Sequence, residues 1–267
     1  KEDAQDDLLR NAAVKGDAKA AADLSEICLS AGHRFFRLGP NLDEEFFEPR
    51  KAIRALVAQL RAVRERIGDR MELMVDLHGR IDPPDSIWFC QQVEELGLYA
   101  VEDPIRAEYP QGYRKVRQQT RVPIAAGEQW AHKWEFAPVI EEELVDFVRI
   151  DICIAGGLTE AKKIAAMAET HHIRTLPHNP LGPVCTAASL HLDIACSNSG
   201  PQEVLFPPAV ALPDVYHCDF KLEGHKMTIP TAPGLGVEFD EEAAKKHPGD
   251  MTEPPHYKRS DGSFTNY

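Results

Sequence analysis

The sequence predicts an α/β fold, a closed (β/α)8 barrel, and three observations support this prediction. Short apolar runs typical of buried strands start near residues 34, 72, 98, 123, 147, 174 and 202, at intervals of about 24 to 38 residues. Helical patterns fill the intervals, as right-handed crossovers between parallel strands require. No GxGxxG or GxxxxGK[ST] phosphate loop is present, so the open doubly wound sheet is the less favoured alternative.

The predicted helices carry apolar stripes at helical spacing. The first covers residues 18–31 and ends at Gly32, a common helix stop. The second, from about residue 43 to Gly68, places Ile53, Leu56, Leu60 and Val63 on one face. Five more helices are predicted over residues 84–96, 111–120, 134–144, 158–170 and 184–196.

The predicted strands alternate with these helices. They cover residues 33–40, 72–76, 98–104, 123–129, 147–151, 174–179 and 202–206. These seven strands, with an eighth expected before residue 18, favour a closed barrel over an open sheet. The chain thus divides into a polar segment (1–17) that could retain part of a first strand, a barrel (18–206), and an irregular segment packed on it (207–267).

Composition excludes several classes of function. The 267 residues are 43% hydrophobic, enough for a large core, and the net charge of -13 argues against a nucleic-acid partner. No run approaches the roughly 20 apolar residues that span a bilayer, which predicts no membrane partner. The six cysteines form no CxxC pair, which favours a soluble protein of the reducing cytoplasm.

Ionisable side chains recur where the predicted strands end. Asp76 and His78 follow the apolar run 73–75, and the later strands carry, in order, Glu102, Glu128, Asp151, His178 and Glu203. In a barrel the carboxyl ends of the strands converge on one mouth, where the active site lies. Within a strand, Asp76 and His78 would also point to the same face.

Three of these side chains form a candidate metal site. Asp76, Glu102 and Glu128 would repel one another in a low-dielectric mouth unless a cation joined them. Oxygen ligands alone favour Mg²⁺ over Zn²⁺. The alternative is that these carboxylates are strand-end caps or members of salt bridges.

Asp151 and His178 form a candidate general base. A carboxylate beside an imidazole fixes its tautomer and suits proton abstraction near neutral pH; the alternative is a structural hydrogen bond. Arg80 and Trp130 flank the mouth and are candidates for substrate contact, although a packing or surface role is at least as plausible for each.

The chain resembles a known family in an ordered set of motifs. These are VDLHGR, VEDP, AAGEQW, RID followed by IAGGLTEAKKIAAMAE, LPHNPLGP and APGLGVEFD. They resemble the barrel domain of the enolase superfamily, in its mandelate racemase subgroup, and within it the acid-sugar dehydratases of the galactonate and mannonate type. The similarity runs from about residue 18 to the end.

The resemblance implies roles for the strand-end residues. Asp76, Glu102 and Glu128 hold Mg²⁺, which stabilises an enediolate after the proton beside the substrate carboxylate is removed. His178 with Asp151 removes that proton, and His78 protonates the departing 3-hydroxyl. Glu203 hydrogen-bonds the enediolate or a hydroxyl.

Two departures from the family pattern qualify this assignment. Racemases of the superfamily carry a base lysine on the second strand, where this chain has Arg34 and Arg37. Arginine stays protonated and is a poor base, so Arg37 is a candidate substrate contact instead. The α+β capping domain that precedes the barrel in the family is largely absent from these residues.

The predicted function is therefore a Mg²⁺-dependent hydro-lyase of sugar-acid catabolism. It would convert an aldonate or similar small-molecule sugar acid into a 2-keto-3-deoxy acid. The alternatives are a racemase or epimerase with the same metal, or a catalytically weak sugar-acid-binding barrel. A metallohydrolase is less favoured because no early HxH pair is evident. The resemblance also implies a homo-oligomer.

Overall fold

The computed structural model describes residues 10–41, 46–205, 207–208, 210, 212–249 and 256–265. Contacts divide the chain into two compact units, one formed by Lys1–Ile124 with Pro254–Tyr267 and the other by Ala125–Glu253. Neither boundary coincides with the domain limits predicted at residues 17 and 206. That three-part division of the chain stays a prediction.

The first unit contains three parallel strands, β1 (Phe35–Leu38), β2 (Glu72–Asp76) and β3 (Ala100–Glu102). β1 pairs with β2, and β2 pairs with β3 up to the partners Asp76 and Glu102. Gly39 follows β1 where a Cβ atom would lie 3.1 Å from the Asp76 carbonyl oxygen. A side chain at residue 39 would therefore crowd the end of β2, and glycine lets the chain pass close to it.

The helices of the first unit bury the apolar faces that the sequence predicts. They are Ala18–Ser30, Pro49–Ile67, Pro83–Val93 and Tyr113–Arg117, with short 3₁₀ turns at Glu94–Leu96 and Pro110–Gly112. The stripe of Ile53, Leu56, Leu60 and Val63 is buried, which confirms that prediction. The helix that bears it begins at Pro49, whose fixed φ suits a first turn; the predicted start falls among residues 42–45, outside the described residues.

The amino-terminal segment is helical where it is described. Residues 10–14 form a helix, and Asp17 caps the next one by accepting a hydrogen bond from the Ala20 N–H at 2.9 Å. The expected first barrel strand is thus absent from residues 10–17. Residues 1–9 lie outside the described part of the chain.

The second unit repeats the arrangement with β4 (Ile124–Ala126, beginning at the unit boundary), β5 (Phe147–Val148) and β6 (Arg174–Thr175). β4 pairs in parallel with β5, and β5 with β6. The intervening helices are Lys133–Glu141, Leu158–Glu169 and Pro183–Ile194. Within each unit, the α/β alternation with parallel pairing agrees with the predicted class.

Short antiparallel strands follow in the second unit. β7 (Tyr216–Cys218) pairs with β10 (Val237–Phe239), β8 (Leu222–Glu223) pairs with β9 (Lys226–Met227), and the helix Glu241–Ala244 comes next. Phe220 is buried against Ala187 and Leu190 of the helix Pro183–Ile194. This contact packs the irregular segment onto a helix of its own unit.

The predicted strand at 202–206 is wrong for its described residues, because positions 202–205 form no strand. The chain pairs with β6 earlier: the Thr175 N–H donates to the Asn198 carbonyl, and the Gly200 N–H donates to the Thr175 carbonyl. The next donor to Gly200 in this ladder would be the N–H of residue 177, which is a proline and has none. The apolar run VLF suggested a strand, but the ladder that would hold it ends at Pro177.

No helix of the described residues is both long enough and apolar enough to cross a membrane.

One carboxyl group of the second unit titrates near neutrality. Asp193 lies near the end of the helix Pro183–Ile194, half-buried, and accepts a hydrogen bond from the Ser199 hydroxyl at 2.9 Å. Burial raises the pKa of Asp193 to about 7, although the Ser199 hydrogen bond opposes the rise.

We expect Asp193→Asn to stabilise the protein at pH 8 but not at pH 4. The folded pKa of Asp193 exceeds its unfolded value near 4, so the wild type loses stability as the pH rises from about 4 to about 7. Asparagine keeps the acceptor for Ser199 without the charge. Urea unfolding at both pH values should give a gain of about 1 to 2 kcal/mol at pH 8 only. An equal gain at both pH values would contradict the assignment.

Candidate active site

Two buried carboxylates lie side by side at the carboxyl ends of β2 and β3. Asp76 and Glu102 are register partners, and their exposed fractions are 2% and 0%. Each acid follows buried apolar residues that hold its strand in the core, so the acid lies at the end of the strand. Two negative charges so placed require a positive charge beside them.

Arg37 of β1 supplies such a charge. Its Nη1 atom lies 3.3 Å from Asp76 Oδ2 and 3.1 Å from Glu102 Oε2. The same nitrogen contacts both carboxylates, so their oxygens are positioned to share one cationic atom. Carboxylate oxygens of this kind, arranged around one positive charge, are also the ligands that Mg²⁺ prefers.

His78 lies beside Asp76 because of a turn. Its φ of 50° is left-handed, its N–H donates to Asp76 Oδ1 at 2.9 Å, and its Nε2 lies 3.0 Å from Asp76 Oδ2. The strand ends at Asp76, so strand alternation was the wrong reason for expecting these side chains together. The His78 side chain is 43% exposed, which leaves it accessible to a ligand.

The hydrogen bonds around Asp76 favour its ionised form. Burial alone would raise the pKa of this carboxyl group, but the His78 hydrogen bond and the nearby charges of His78 and Arg37 lower it. Asp76 is therefore held as a carboxylate, the form in which it could bind a metal ion.

The other half of the predicted site lies in the second unit, where Asp151 and His178 face each other across an isolated parallel bridge. His178 Nδ1 lies 2.8 Å from Asp151 Oδ2. The N–H groups of Cys153 and Ile154 donate to the other oxygen, Asp151 Oδ1, at 2.8 and 3.0 Å. Burial alone would raise the pKa of Asp151, but these hydrogen bonds outweigh it and lower the pKa.

Glu203 is held by an arginine that sequence reasoning missed. Arg149 is fully buried, and its Nη2 donates to Glu203 Oε2 at 2.6 Å. Its Nη1 donates to the carbonyls of Leu176 and Pro177 at 3.0 and 3.3 Å. The signal was present: in FVRID, Arg149 interrupts an apolar run two residues before Asp151.

Asn179 is a second polar residue that the sequence analysis did not identify. It is fully buried; its N–H donates to Glu203 Oε2 at 3.0 Å, and its side-chain amide donates to the Thr186 hydroxyl at 2.8 Å. Asn179 therefore connects the residue after His178 to both Glu203 and the helix Pro183–Ile194.

Glu128 is buried at the end of the segment that follows β4. Its Oε2 lies 3.7 Å from His178 Nε2 and 4.0 Å from Arg149 Nη2. Gly127 before it has φ of 128°, and a Cβ there would lie 2.5 Å from the Phe136 ring. Only glycine permits this turn, which directs Glu128 toward His178 and Arg149.

Packing partners surround the two flanking candidates for substrate contact. Trp130 is 1% exposed, and its ring meets Phe136 edge-on at a centroid distance of 5.0 Å. Arg80 lies over the Tyr257 ring at 5.2 Å. Trp130 therefore has a core packing role, whereas Arg80 is half-buried beside Tyr257.

Among the described residues, no group of three or more His, Cys, Asp or Glu side chains is close enough together to hold a metal ion. The joint site of Asp76, Glu102 and Glu128 stays a prediction. What the first unit provides is a pair of buried carboxylates arranged around one positive charge.

Comparisons with known proteins identify relatives of the chain. The family described as enolase C-terminal domain-like matches residues 19–243. A D-galactonate dehydratase family member from Oceanicola granulosus is 36% identical over 225 residues, which are 84% of this chain and 55% of that protein. A D-mannonate dehydratase from a Caulobacter species is 36% identical over 210 residues, 77% of this chain and 51% of that protein.

Solved structures share the fold. The crystal structure of an enolase from Pantoea ananatis with bound D-gluconate and Mg matches with a TM-score of 0.87 and 26% identity, over 94% of this chain and 69% of that one. The chain spans about half the length of the curated relatives it matches.

We expect Arg149→Met to destabilise the protein by about 3 to 5 kcal/mol, because it leaves the Glu203 carboxylate without its buried cation. Adding Glu203→Gln should recover part of this loss, since the amide carries no charge. Chemical denaturation of the two single variants and the double variant measures the coupling. A loss below about 1 kcal/mol for Arg149→Met would contradict a buried ion pair.

Proposed function

This chain belongs to the enolase C-terminal domain-like family, and on that premise we propose that it is a sugar-acid dehydratase. The relatives' names, D-galactonate and D-mannonate dehydratase, support an aldonic acid as substrate. The reaction would remove the C2 proton and the C3 hydroxyl group as water. The resulting enol would ketonise to a 2-keto-3-deoxy acid.

The observation that carries this proposal is the hydrogen-bonded pair of Asp151 and His178. Asp151 accepts from His178 Nδ1 at 2.8 Å, which favours the tautomer with a lone pair on Nε2. In this proposal Nε2 takes the C2 proton. The lowered pKa of Asp151 keeps that carboxyl ionised, so it stabilises the imidazolium that forms.

His78 is proposed as the acid that protonates the leaving 3-hydroxyl. Its imidazole is exposed enough to meet a substrate, and Asp76 at 3.0 Å stabilises the protonated ring that an acid must begin with. Glu203, which is paired with Arg149 at 2.6 Å, would accept a hydrogen bond from a substrate hydroxyl.

We propose that Asp76, Glu102 and Glu128 together hold Mg²⁺. Mg²⁺ bound there would stabilise the negative charge that develops on the substrate carboxylate when the adjacent proton leaves. The support is the chemistry of the donors: three buried carboxylates, two of which share one cationic atom of Arg37.

Arg37 also favours elimination over racemisation. Racemisation needs a second base opposite His178, and an arginine paired with two carboxylates stays protonated. Elimination needs one base and one acid, for which His178 and His78 are proposed. Arg37 and Arg80 would instead offer positive charge to an anionic substrate.

We expect His178→Asn and His78→Asn to separate the two proton transfers. With the full chain, Mg²⁺ and a panel containing D-galactonate, D-mannonate and D-gluconate in D₂O, the wild type should form 2-keto-3-deoxy acid. His178→Asn should lower both C2 deuterium exchange and product formation about 10²- to 10⁴-fold. His78→Asn should lower product formation by a similar factor while C2 exchange continues.

The matched control is His172→Asn, because His172 lies after a helix end with φ of 56°, a conformation that asparagine tolerates. It should leave both rates within about twofold of the wild type. Deuterium exchange or epimer formation by the wild type without any keto acid would overturn the dehydratase proposal in favour of an epimerase.

We expect Arg37→Gln to strengthen Mg²⁺ binding about tenfold, or about 1.4 kcal/mol, because it removes a positive charge that competes for Asp76 and Glu102. Calorimetric titration with MgCl₂ and the Mg²⁺-induced rise in Tm measure the change. Arg34→Gln, an exposed neighbour, is the control. Equal or weaker Mg²⁺ binding by Arg37→Gln would contradict the proposed ligands.

A further inference from the structure

We propose that Cys153 and Cys185 form a reversible disulfide that joins the segment following Asp151 to the segment following His178. Cys153 lies two residues after Asp151, in the turn that leads to the helix Leu158–Glu169. Cys185 lies in the first turn of the helix Pro183–Ile194, seven residues after His178.

Non-covalent contacts already connect these two segments. Asp151 and His178 form a parallel bridge and a side-chain hydrogen bond of 2.8 Å. The Asn179 side chain donates to the hydroxyl of Thr186, the residue next to Cys185, at 2.8 Å. The Cys153 N–H donates to Asp151 Oδ1 at 2.8 Å. Hydrogen bonds thus hold in place both the segment that contains Cys153 and the segment that contains Cys185.

The two thiol groups are also neighbours. Cys185 and Cys153 are within side-chain hydrogen-bonding reach of each other, and both are free. Burial, with Cys153 beside it, raises the pKa of Cys185 to about 12, which makes Cys185 inert toward most reagents. Cys153 is exposed. A soluble oxidant therefore meets Cys153 first, and Cys185 can react only with the sulfur beside it.

The oxidation balances with hydrogen peroxide as the oxidant. The Cys153 sulfur attacks one peroxide oxygen, which breaks the O–O bond and gives a sulfenic acid and one water. The Cys185 thiol then attacks the Cys153 sulfur and gives its proton to the sulfenic hydroxyl, which leaves as a second water. Both thiols are oxidised by one electron each, and one peroxide is reduced to two waters. A dithiol reductant reverses the bond by exchange.

A consequence for catalysis rests on the proposed function. The N–H of Cys153 is one of the two that orient Asp151, and a bond at Cys153 Sγ constrains that same residue. Oxidation should therefore change the position of Asp151 against His178 and lower the dehydration rate at least tenfold. Dithiothreitol should restore it.

The test exposes the full chain to hydrogen peroxide and counts thiols before and after treatment with dithiothreitol. We expect two of the six thiols to disappear reversibly, with a mass loss of about 2 Da. Combined trypsin and chymotrypsin digestion should give peptide 150–158, which contains Cys153, joined to peptide 182–190, which contains Cys185. Cys153→Ser should abolish the cross-link, whereas the control Cys28→Ser should retain it.

Three results would overturn the proposal: six thiols retained after oxidation, a cross-link between other cysteines, or irreversible oxidation of Cys153 without a cross-link. The cross-link is read without any activity assay, so its failure is separate from that of the proposed function. Where activity is present, oxidation should inhibit the wild type and Cys28→Ser but not Cys153→Ser. Equal inhibition of Cys153→Ser would remove the catalytic consequence.

Discussion

Negative charge that is withdrawn from water is the constraint on which each unit depends. A carboxylate removed from water is stable only when a positive charge or several hydrogen bonds accompany it. The first unit meets this need with Arg37, which joins Asp76 to Glu102, and the second with Arg149, which joins Glu203 to two backbone carbonyls. Such paired groups add little net stability, and their value is that they keep carboxylates ionised at defined positions.

The backbone after each strand supplies the second part of the arrangement. His78 adopts a left-handed φ two residues after β2 ends, and Asp103, with φ of 38°, does so directly after β3. The turn at Asp151 is instead closed by two N–H groups that donate to one carboxylate oxygen. Left-handed backbone in non-glycine residues costs free energy and persists where surrounding contacts require it. These turns place polar side chains at the end of a strand instead of along it.

Residue patterns predicted the periodic features of this chain and missed those set by local exceptions. The stripe of Ile53, Leu56, Leu60 and Val63 was predictable because helical burial repeats every three to four residues. The pairing of Asp151 with His178 was predictable because each lies near the end of one of two neighbouring predicted strands. The strand at 202–206 was wrong because apolar residues suggest a strand even where the neighbouring segment, at Pro177, lacks the next hydrogen-bond donor. Arg149 was missed because a charged residue inside an apolar run is normally exposed, and only its partners explain its burial.

The first unit is discontinuous along the chain, and this affects how the protein can fold. Residues 256–265 return to it: the Phe47 N–H donates to the Lys258 carbonyl at 2.8 Å, and Ser260 donates to the Glu48 carboxylate. Glu48 and Ser260 are 212 residues apart in sequence, so closing this contact is entropically costly and slow. During synthesis, the entire second unit leaves the ribosome before these residues do. The docking of Tyr257 on Phe47 must therefore be among the last events of folding.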